Sequence, residues 1–218
     1  CFLYRRRVQE RLESYAEDLF LAEDYDFWLR ASEHFSLERL PVDCYLYRVH
    51  AGSLTARRAR EIETARAQAQ FRNLSRLRWM GTATKAHAYL TLGLRLCRTD
   101  QSYLGRFYLR RAFGEYAILD HDPDFAVREL LYDRPGTLRS AADLAALIEA
   151  LPADLHGVKA LIKRVWGRYH QACCFEGFRE KRPEVVRRHL PQAVWLAPGG
   201  LANRGLVRIG LWGYTHRG

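Results

Sequence analysis

From residue 56 onward, apolar residues recur three and four positions apart, and this helical spacing constrains the fold more than any other feature of the sequence. Clusters containing Gly, Pro and Asp separate most of these segments. The predicted helices are Ala56–Met80, Thr84–Arg98, Gln101–Leu119, Pro123–Tyr132, Ala141–Leu151, Leu155–Phe175 and Glu176–His189. We therefore expect a mainly α-helical protein built as an antiparallel helical array.

Within this array, one stretch has the spacing of a tetratricopeptide-like helix pair. Its members are Tyr89, Leu92, Gly93, Leu96, Gly105, Leu109 and Ala112. The small residues among them would let two helices cross closely. Because the match is single and imperfect, a tetratricopeptide-like repeat and a generic antiparallel array both stay open.

The residues before this array have a different pattern, which predicts a small α/β portion. A helix is predicted over residues 23–35, where apolar and aromatic side chains share one face. Alternating runs predict short strands at Phe2–Tyr4, just before Pro41 and over Asp43–Arg48. We place a domain boundary at the change of pattern, which divides the chain into residues 1–55 and 56–218.

Composition narrows the class of protein to a soluble globular one, with 48% hydrophobic and 28% charged residues. The formal net charge is +10, and Arg provides 31 of the 35 basic residues, spread along the whole chain. No nucleic-acid-binding motif accompanies them, so we expect no nucleic-acid partner. Five cysteines without a CxxC pair indicate free thiols, and no apolar run is long enough to span a bilayer. Both features favour the cytoplasm.

Carboxylates and aromatic rings alternate between Glu23 and Trp28. Asp24 falls in the first turn of the predicted helix, where the helix dipole favours a negative charge. Because Trp28 and Ala31 share its face, we expect Asp24 to be partly shielded from water, as suits a general base that removes a hydroxyl proton. The alternative is that Glu23 and Asp24 only cap the helix.

His50 follows the last predicted strand, and Arg48 lies two residues before it. At such an edge, a His suits a contact with a metal or an anion, and an Arg binds phosphate or carboxylate. The alternatives are an ordinary surface His and a salt bridge at the strand edge.

Two stretches, AEDYDFWLR and LPVDCYLYRVHAGSLT, resemble the second half of the catalytic domain of glycosyltransferase family 2 enzymes, which have the GT-A fold. The similarity covers about residues 1–56, a quarter of the chain. The matching positions are Glu23, Asp24, Tyr25, Asp26, Trp28, Leu29, Arg30, Tyr47, Arg48, His50, Ser53 and Thr55.

The resemblance implies an inverting enzyme of cell-surface glycan synthesis, which transfers a sugar from a nucleotide-sugar donor to a hydroxyl of a glycan or lipid-linked acceptor. Asp24 would be the general base, while Glu23 and Asp26 would contact the acceptor or support the site. Arg48 is a further candidate for substrate binding. His50 would lie near the donor diphosphate and its divalent metal, Mg²⁺ or Mn²⁺, in the full-length enzyme.

The family's nucleotide-binding half carries a DxD metal motif upstream of these stretches, and this chain has no such motif there. Its DHD at residues 120–122 falls between predicted helices. We therefore expect the chain to be the acceptor-side part of a longer enzyme, and to be inactive as 218 residues alone. The alternative is a non-catalytic helical module that binds a protein partner.

A basic stretch follows the region of resemblance and contains Arg57, Arg58, Arg60, Arg66, Arg72, Arg76 and Arg78. One hypothesis is that its outward Arg residues hold the protein against anionic lipid at the inner membrane face. The alternative is a solvated face whose Arg residues pair with acids of the same protein.

Overall fold

The structure, a computed structural model, describes residues 3–42, 44–46, 48, 50, 52–99, 101–134, 136–199 and 203–216. This part of the chain is mainly helical, as the sequence predicts, with one two-stranded hairpin. The chain divides into two compact units, Cys1–Tyr108 and Leu109–Gly218. No helix in the described ranges combines the length and apolar character needed to cross a bilayer.

The first unit contains helices α1 Arg6–Leu12, α2 Glu23–His34, α3 Leu54–Arg57, α4 Ala59–Leu74, α5 Thr82–Leu96 and most of α6 Ser102–Arg110, with a 3₁₀ turn at Glu17–Leu19. Phe27 and Ala31 of α2 pack against Val8 and Leu12 of α1. A second apolar cluster joins the segment before α2 to α4 through Leu19, Ala22, Ala65 and Ala69. The start of α2 is therefore fixed between α1 and α4.

Helices α5 and α6 approach closely where small residues face each other. A Cβ atom added at Gly105 would lie only 2.8 Å from the carbonyl oxygen of Gly93 and 2.6 Å from the backbone nitrogen of Cys97. The close crossing predicted for these small residues is confirmed. The tetratricopeptide-like repeat itself stays a prediction.

The second unit begins after Tyr108 and contains a π-helical turn at Arg111–Glu115, α7 Ile118–His121, α8 Pro123–Leu131, the hairpin of β1 Tyr132–Arg134 and β2 Thr137–Leu138, α9 Ala141–Glu149, α10 Val158–Arg179, α11 Pro183–Leu196 and α12 Arg204–Thr215. Cys174, Val186, Leu206 and Ile209 form an apolar cluster that joins α10, α11 and α12. The side chain of Asp122, from the DHD sequence, accepts a hydrogen bond from the Phe125 N–H and caps α8.

The strands predicted in the first part of the chain are wrong for the residues that the structure describes. Residues 3–5, 36–42 and 44–46 belong to no strand. Residues 2, 43 and 47, on which these predictions also depend, lie outside the described residues. An extended segment becomes a strand only when a neighbour pairs with its backbone, and the described part of the first unit supplies no such neighbour.

The end of α10 differs from the prediction because of a proline that follows it. Instead of ending at Phe175, α10 continues to Arg179, and the chain turns at Lys181 with φ 57°. Pro183 sets this break, because a proline disfavours the helical conformation in the residue before it. Helix α12 is absent from the sequence-based prediction.

The division between the compact units does not coincide with the change of pattern at residue 56. Helix α2 packs on α4 within the first unit, across that position. The assignment of residues 1–55 to the remnant of a catalytic domain concerns the origin of this segment and stays a prediction.

Candidate functional site

Asp24 lies in the first turn of α2, and its side chain is exposed to solvent. Its Oδ1 accepts a hydrogen bond from the Tyr25 backbone N–H at 2.6 Å. This is the kind of contact that the capping alternative predicts, and it leaves the carboxylate accessible to a ligand. The expected shielding by Trp28 is wrong, because that ring packs against Phe27 and Tyr4 instead.

Glu23, the neighbouring residue, is half-buried. Its Oε2 is fully buried and has no hydrogen-bond partner among the described residues. A buried carboxylate oxygen without a donor is unfavourable, so this atom lowers the stability of the start of α2.

Two tyrosine rings lie beside these carboxylates. Tyr4 and Tyr15 pack on Phe27, with ring centroids 5.5 and 4.8 Å away, yet 37% and 40% of their surfaces stay exposed. Partial burial and a hydrogen bond with Tyr4 raise the pKa of the Tyr15 hydroxyl, and the charges of Asp24 and Glu23 raise it further. We call Tyr4, Tyr15, Glu23 and Asp24 the Tyr–carboxylate cluster.

Asp26 has a different environment, since only 1% of its surface is exposed. Its Oδ2 accepts from Arg30 Nε at 2.8 Å, and its Oδ1 accepts from Asn73 Nδ2 at 2.7 Å. The guanidinium of Arg30 also donates to the carbonyls of Leu12 and Ser14, both at 2.9 Å. Of the two predicted roles, contact or support, this geometry favours support, because Arg30 holds the backbone that leads into Tyr15.

Arg48 and His50 are exposed and lie outside helices and strands. Their chain neighbours at positions 47, 49 and 51 are outside the described residues. Within the described ranges, no hydrogen bond or ion pair joins either side chain to the Tyr–carboxylate cluster. Their predicted contacts with substrate, phosphate or metal stay predictions.

The described residues do not assemble a metal site: no three His, Cys, Asp or Glu side chains among them lie close enough to hold an ion. His50 alone does not form one. The thiols of half-buried Cys97 and buried Cys174 are also poor nucleophiles, because desolvation raises the pKa of Cys97 to about 11 and that of Cys174 to about 12.

Three of the seven Arg residues in the basic stretch after residue 56 pair with described acidic residues. Arg58 pairs with Glu61, Arg66 with Glu63 at 3.6 Å, and Arg72 with Asp18. Arg58 and Arg66 also lie over the rings of Phe20 and Tyr25. These contacts favour the solvated-face interpretation for three of the seven Arg residues.

Comparisons of the chain with protein-family models, with curated proteins and with solved structures gave no match. Tyr4, Tyr15 and Asn73 are absent from the sequence-based site because no spacing rule links them to the acidic motif. The acidic residues on either side of Tyr15 are a local signal that could have indicated it, but Tyr4 and Asn73 have no such signal.

Proposed function

We propose that the Tyr–carboxylate cluster is the acceptor side of an inverting, nucleotide-sugar-dependent glycosyltransferase, with Asp24 as the general base. The observation that carries this proposal is the exposed carboxylate of Asp24 next to two half-exposed tyrosine rings. The resemblance of the EDYDFWLR stretch to family 2 enzymes supports the same assignment.

A sugar acceptor suits this cluster chemically. One face of a pyranose ring carries mainly C–H groups, which pack on an aromatic ring, while the tyrosine hydroxyl can exchange hydrogen bonds. Carboxylates accept hydrogen bonds from sugar hydroxyls. Glu23 is half-buried directly before Asp24, so an acceptor that contacted both residues would be oriented towards Asp24.

In the proposed reaction, Asp24 takes the proton of the acceptor hydroxyl. The hydroxyl oxygen forms a bond to the anomeric carbon of the donor sugar from the side opposite the nucleotide. The bond from that carbon to the diphosphate oxygen breaks, its electron pair leaves with the diphosphate, and the configuration inverts. Binding of the donor and of any divalent metal involves residues outside this cluster.

A non-catalytic helical interaction module is the second candidate. One observation favours it: residues 3–42 and 44–46 contain helices but no strand, although a GT-A segment needs both. The two candidates differ in one respect that can be measured, because only an enzyme requires the ionised carboxylate of Asp24.

The test is substitution Asp24→Asn in the full-length enzyme, assayed with a panel of nucleotide sugars and glycan acceptors. We expect transfer to fall by about 10²–10⁴-fold, as is typical when a general base is lost. Glu33→Gln, an exposed carboxylate on the same helix, is the matched control and should keep normal transfer. Near-normal turnover by purified Asp24→Asn enzyme would reject the assignment.

A binding experiment on the 218-residue chain separates the acceptor site from the chemistry. Saturation-transfer NMR with oligosaccharides should detect binding to the chain, and Tyr15→Ala should abolish it. Because the Tyr15 ring is 40% exposed, the variant should fold normally, as a circular dichroism spectrum would verify. Equal oligosaccharide binding by the unmodified chain and by Tyr15→Ala would show that the Tyr15 ring does not contact the acceptor.

A further inference from the structure

The excess positive charge of the second unit is concentrated at the end of the chain. Residues 109–184 contain 12 basic and 12 acidic residues, which balance. Residues 185–218 contain five Arg and no Asp or Glu. An anionic partner would therefore meet the least repulsion at this end of the unit.

Helix α12 lies in this segment, and its inner face is fully used by packing. Leu206 and Ile209 are buried in the cluster shared with α10 and α11. A Cβ atom added at Gly213 would lie 2.6 Å from Val186 Cγ1, and one at Gly210 would lie 2.8 Å from Leu190 Cδ2. These close approaches fix the rotation of α12 about its axis, so the opposite face is held towards solvent.

The outward side of α12 carries apolar residues at helical spacing. Val207, Leu211 and Tyr214 are 41%, 66% and 60% exposed. Positions 207, 211 and 214 are four and three residues apart, so the side chains form one continuous ridge. We call Arg204, Val207, Arg208, Leu211 and Tyr214 the α12 outer face.

Cations accompany this ridge. Arg204 and Arg208 are exposed on the neighbouring positions of the helix. At the other end, Arg187 of α11 donates to the carbonyls of Gly213 and His216, at 3.4 and 3.3 Å, which places its charge beside the end of α12. A helix with apolar side chains outward and Arg beside them has the character of a helix that lies in a membrane interface.

We propose that the α12 outer face binds the surface of an anionic lipid bilayer, with the apolar ridge inserted among the acyl chains and the Arg residues at lipid phosphates. This surface is separate from the Tyr–carboxylate cluster and does not depend on the proposed enzymatic function.

The size of the face favours a bilayer over a protein partner. A helix of 12 residues is about 18 Å long and 10 Å wide, so its outer side offers on the order of 200 Å². A specific protein interface needs about 800 Å² from each partner. Shallow insertion of a few apolar side chains, assisted by Arg at about 1 kcal/mol each, is sufficient for a lipid surface.

Co-sedimentation of the 218-residue chain with sucrose-loaded vesicles tests the proposal. One vesicle preparation contains phosphatidylcholine alone, and the other contains equal parts of phosphatidylcholine and phosphatidylglycerol. We expect binding to the anionic vesicles only, with a loss at high salt because the Arg–phosphate attraction is screened. The double variant Arg204→Gln, Arg208→Gln should bind about 30-fold more weakly, from two charges at about 1 kcal/mol each.

The control Lys159→Gln, Lys163→Gln removes the same charge from two exposed positions of α10 and should bind like the unmodified chain. Leu211→Gln should weaken binding about fivefold to tenfold, since it removes an inserted apolar side chain. Thermal melting should confirm that all variants fold.

Three results would overturn the proposal. Equal recovery with both vesicle types would exclude an anionic lipid surface. An equal loss in the Lys159, Lys163 control would show that net charge, and not α12, governs binding. Unchanged binding of Leu211→Gln would show that the face attracts polyanions by charge alone, as an acidic protein would require.

Discussion

At the scale of single residues, neighbouring carboxylates in one helical turn have different environments. Asp24 is exposed, Glu23 has one buried oxygen without a partner in the described part of the chain, and Asp26 is buried with both oxygens bonded. These differences separate their chemical possibilities: a buried, paired carboxylate supports structure, while an exposed one can meet a substrate.

The hydrogen bond from Asn73 to Asp26 predicts a measurable effect on stability. Asn73→Ala removes one donor from a carboxylate that is 1% exposed, and hydrogen bonds to charged groups contribute about 1.5–3 kcal/mol. We therefore expect the free energy of unfolding, measured with urea, to fall by about 2 kcal/mol.

Gln68→Ala is the matched control, because Gln68 is exposed on the same helix, and it should change stability by less than about 0.5 kcal/mol. If the two variants were equally stable, the Asp26 network would have no role in holding α2 against α4.

At the scale of elements, a histidine pair connects α10 and α11. His170 Nδ1 and His189 Nδ1 are 2.8 Å apart, so one ring must donate a proton and the other must accept it. Trp166 stacks on His170, and Tyr169 contacts both rings edge-on. With both rings protonated, two N–H groups and two positive charges would face each other.

This pair predicts that the free energy of unfolding decreases as the pH is lowered. Partial burial, followed by the charge of His189, lowers the pKa of His170; partial burial and Arg188 lower the pKa of His189. The folded state therefore binds fewer protons than the unfolded chain, whose His pKa is about 6.5. The stabilising contribution is complete above that pH and is lost as the pH falls below it.

We expect a lower melting temperature at pH 5.5 than at pH 7.5, and a smaller difference in His189→Gln. His156→Gln, at an exposed position, should keep the full difference. Hydrogen bonds from Arg lower the pKa values of exposed carboxylates such as Asp18 and Asp154. These groups stay ionised at both pH values and do not contribute to the difference in melting temperature. A pH profile of His189→Gln as steep as that of the unmodified chain would contradict this assignment.

At the scale of the whole molecule, a net charge of +10 opposes compaction through self-repulsion. Ion pairs compensate little, because solvent screens pairs such as Arg110–Asp154, in which both side chains are 59% exposed. Added salt screens both the attraction within ion pairs and the repulsion between excess cations. Because the repulsion is the larger of the two, added salt should stabilise the folded protein.

We expect the melting temperature at pH 7.5 to rise by roughly 2–4 °C between 20 and 300 mM NaCl, the change that about 1 kcal/mol produces in a chain of this size. Differential scanning calorimetry at several salt concentrations would measure it. A melting temperature that fell with added salt would mean that the ion pairs outweigh the repulsion.

The sequence by itself determined the helical character of the protein, because apolar periodicity is a local property that each helix carries in its own residues. It also located the acidic start of α2 and the close crossing at Gly93 and Gly105, since both depend on residue type at fixed spacing. It failed for the strands, because strand formation depends on a neighbouring strand that local alternation cannot supply.

Only the tertiary structure decided which carboxylate is buried, because the partner of Asp26 is Asn73, 47 residues away in the chain. The same holds for Tyr15, which reaches the carboxylates through the fold of the loop that Arg30 holds. Packing likewise decided which face of α12 is outward. Side chains of α11 lie so close to Gly210 and Gly213 that α12 can adopt only one rotation about its own axis. Such contacts join residues distant in the chain, and a local pattern does not encode which of them will meet.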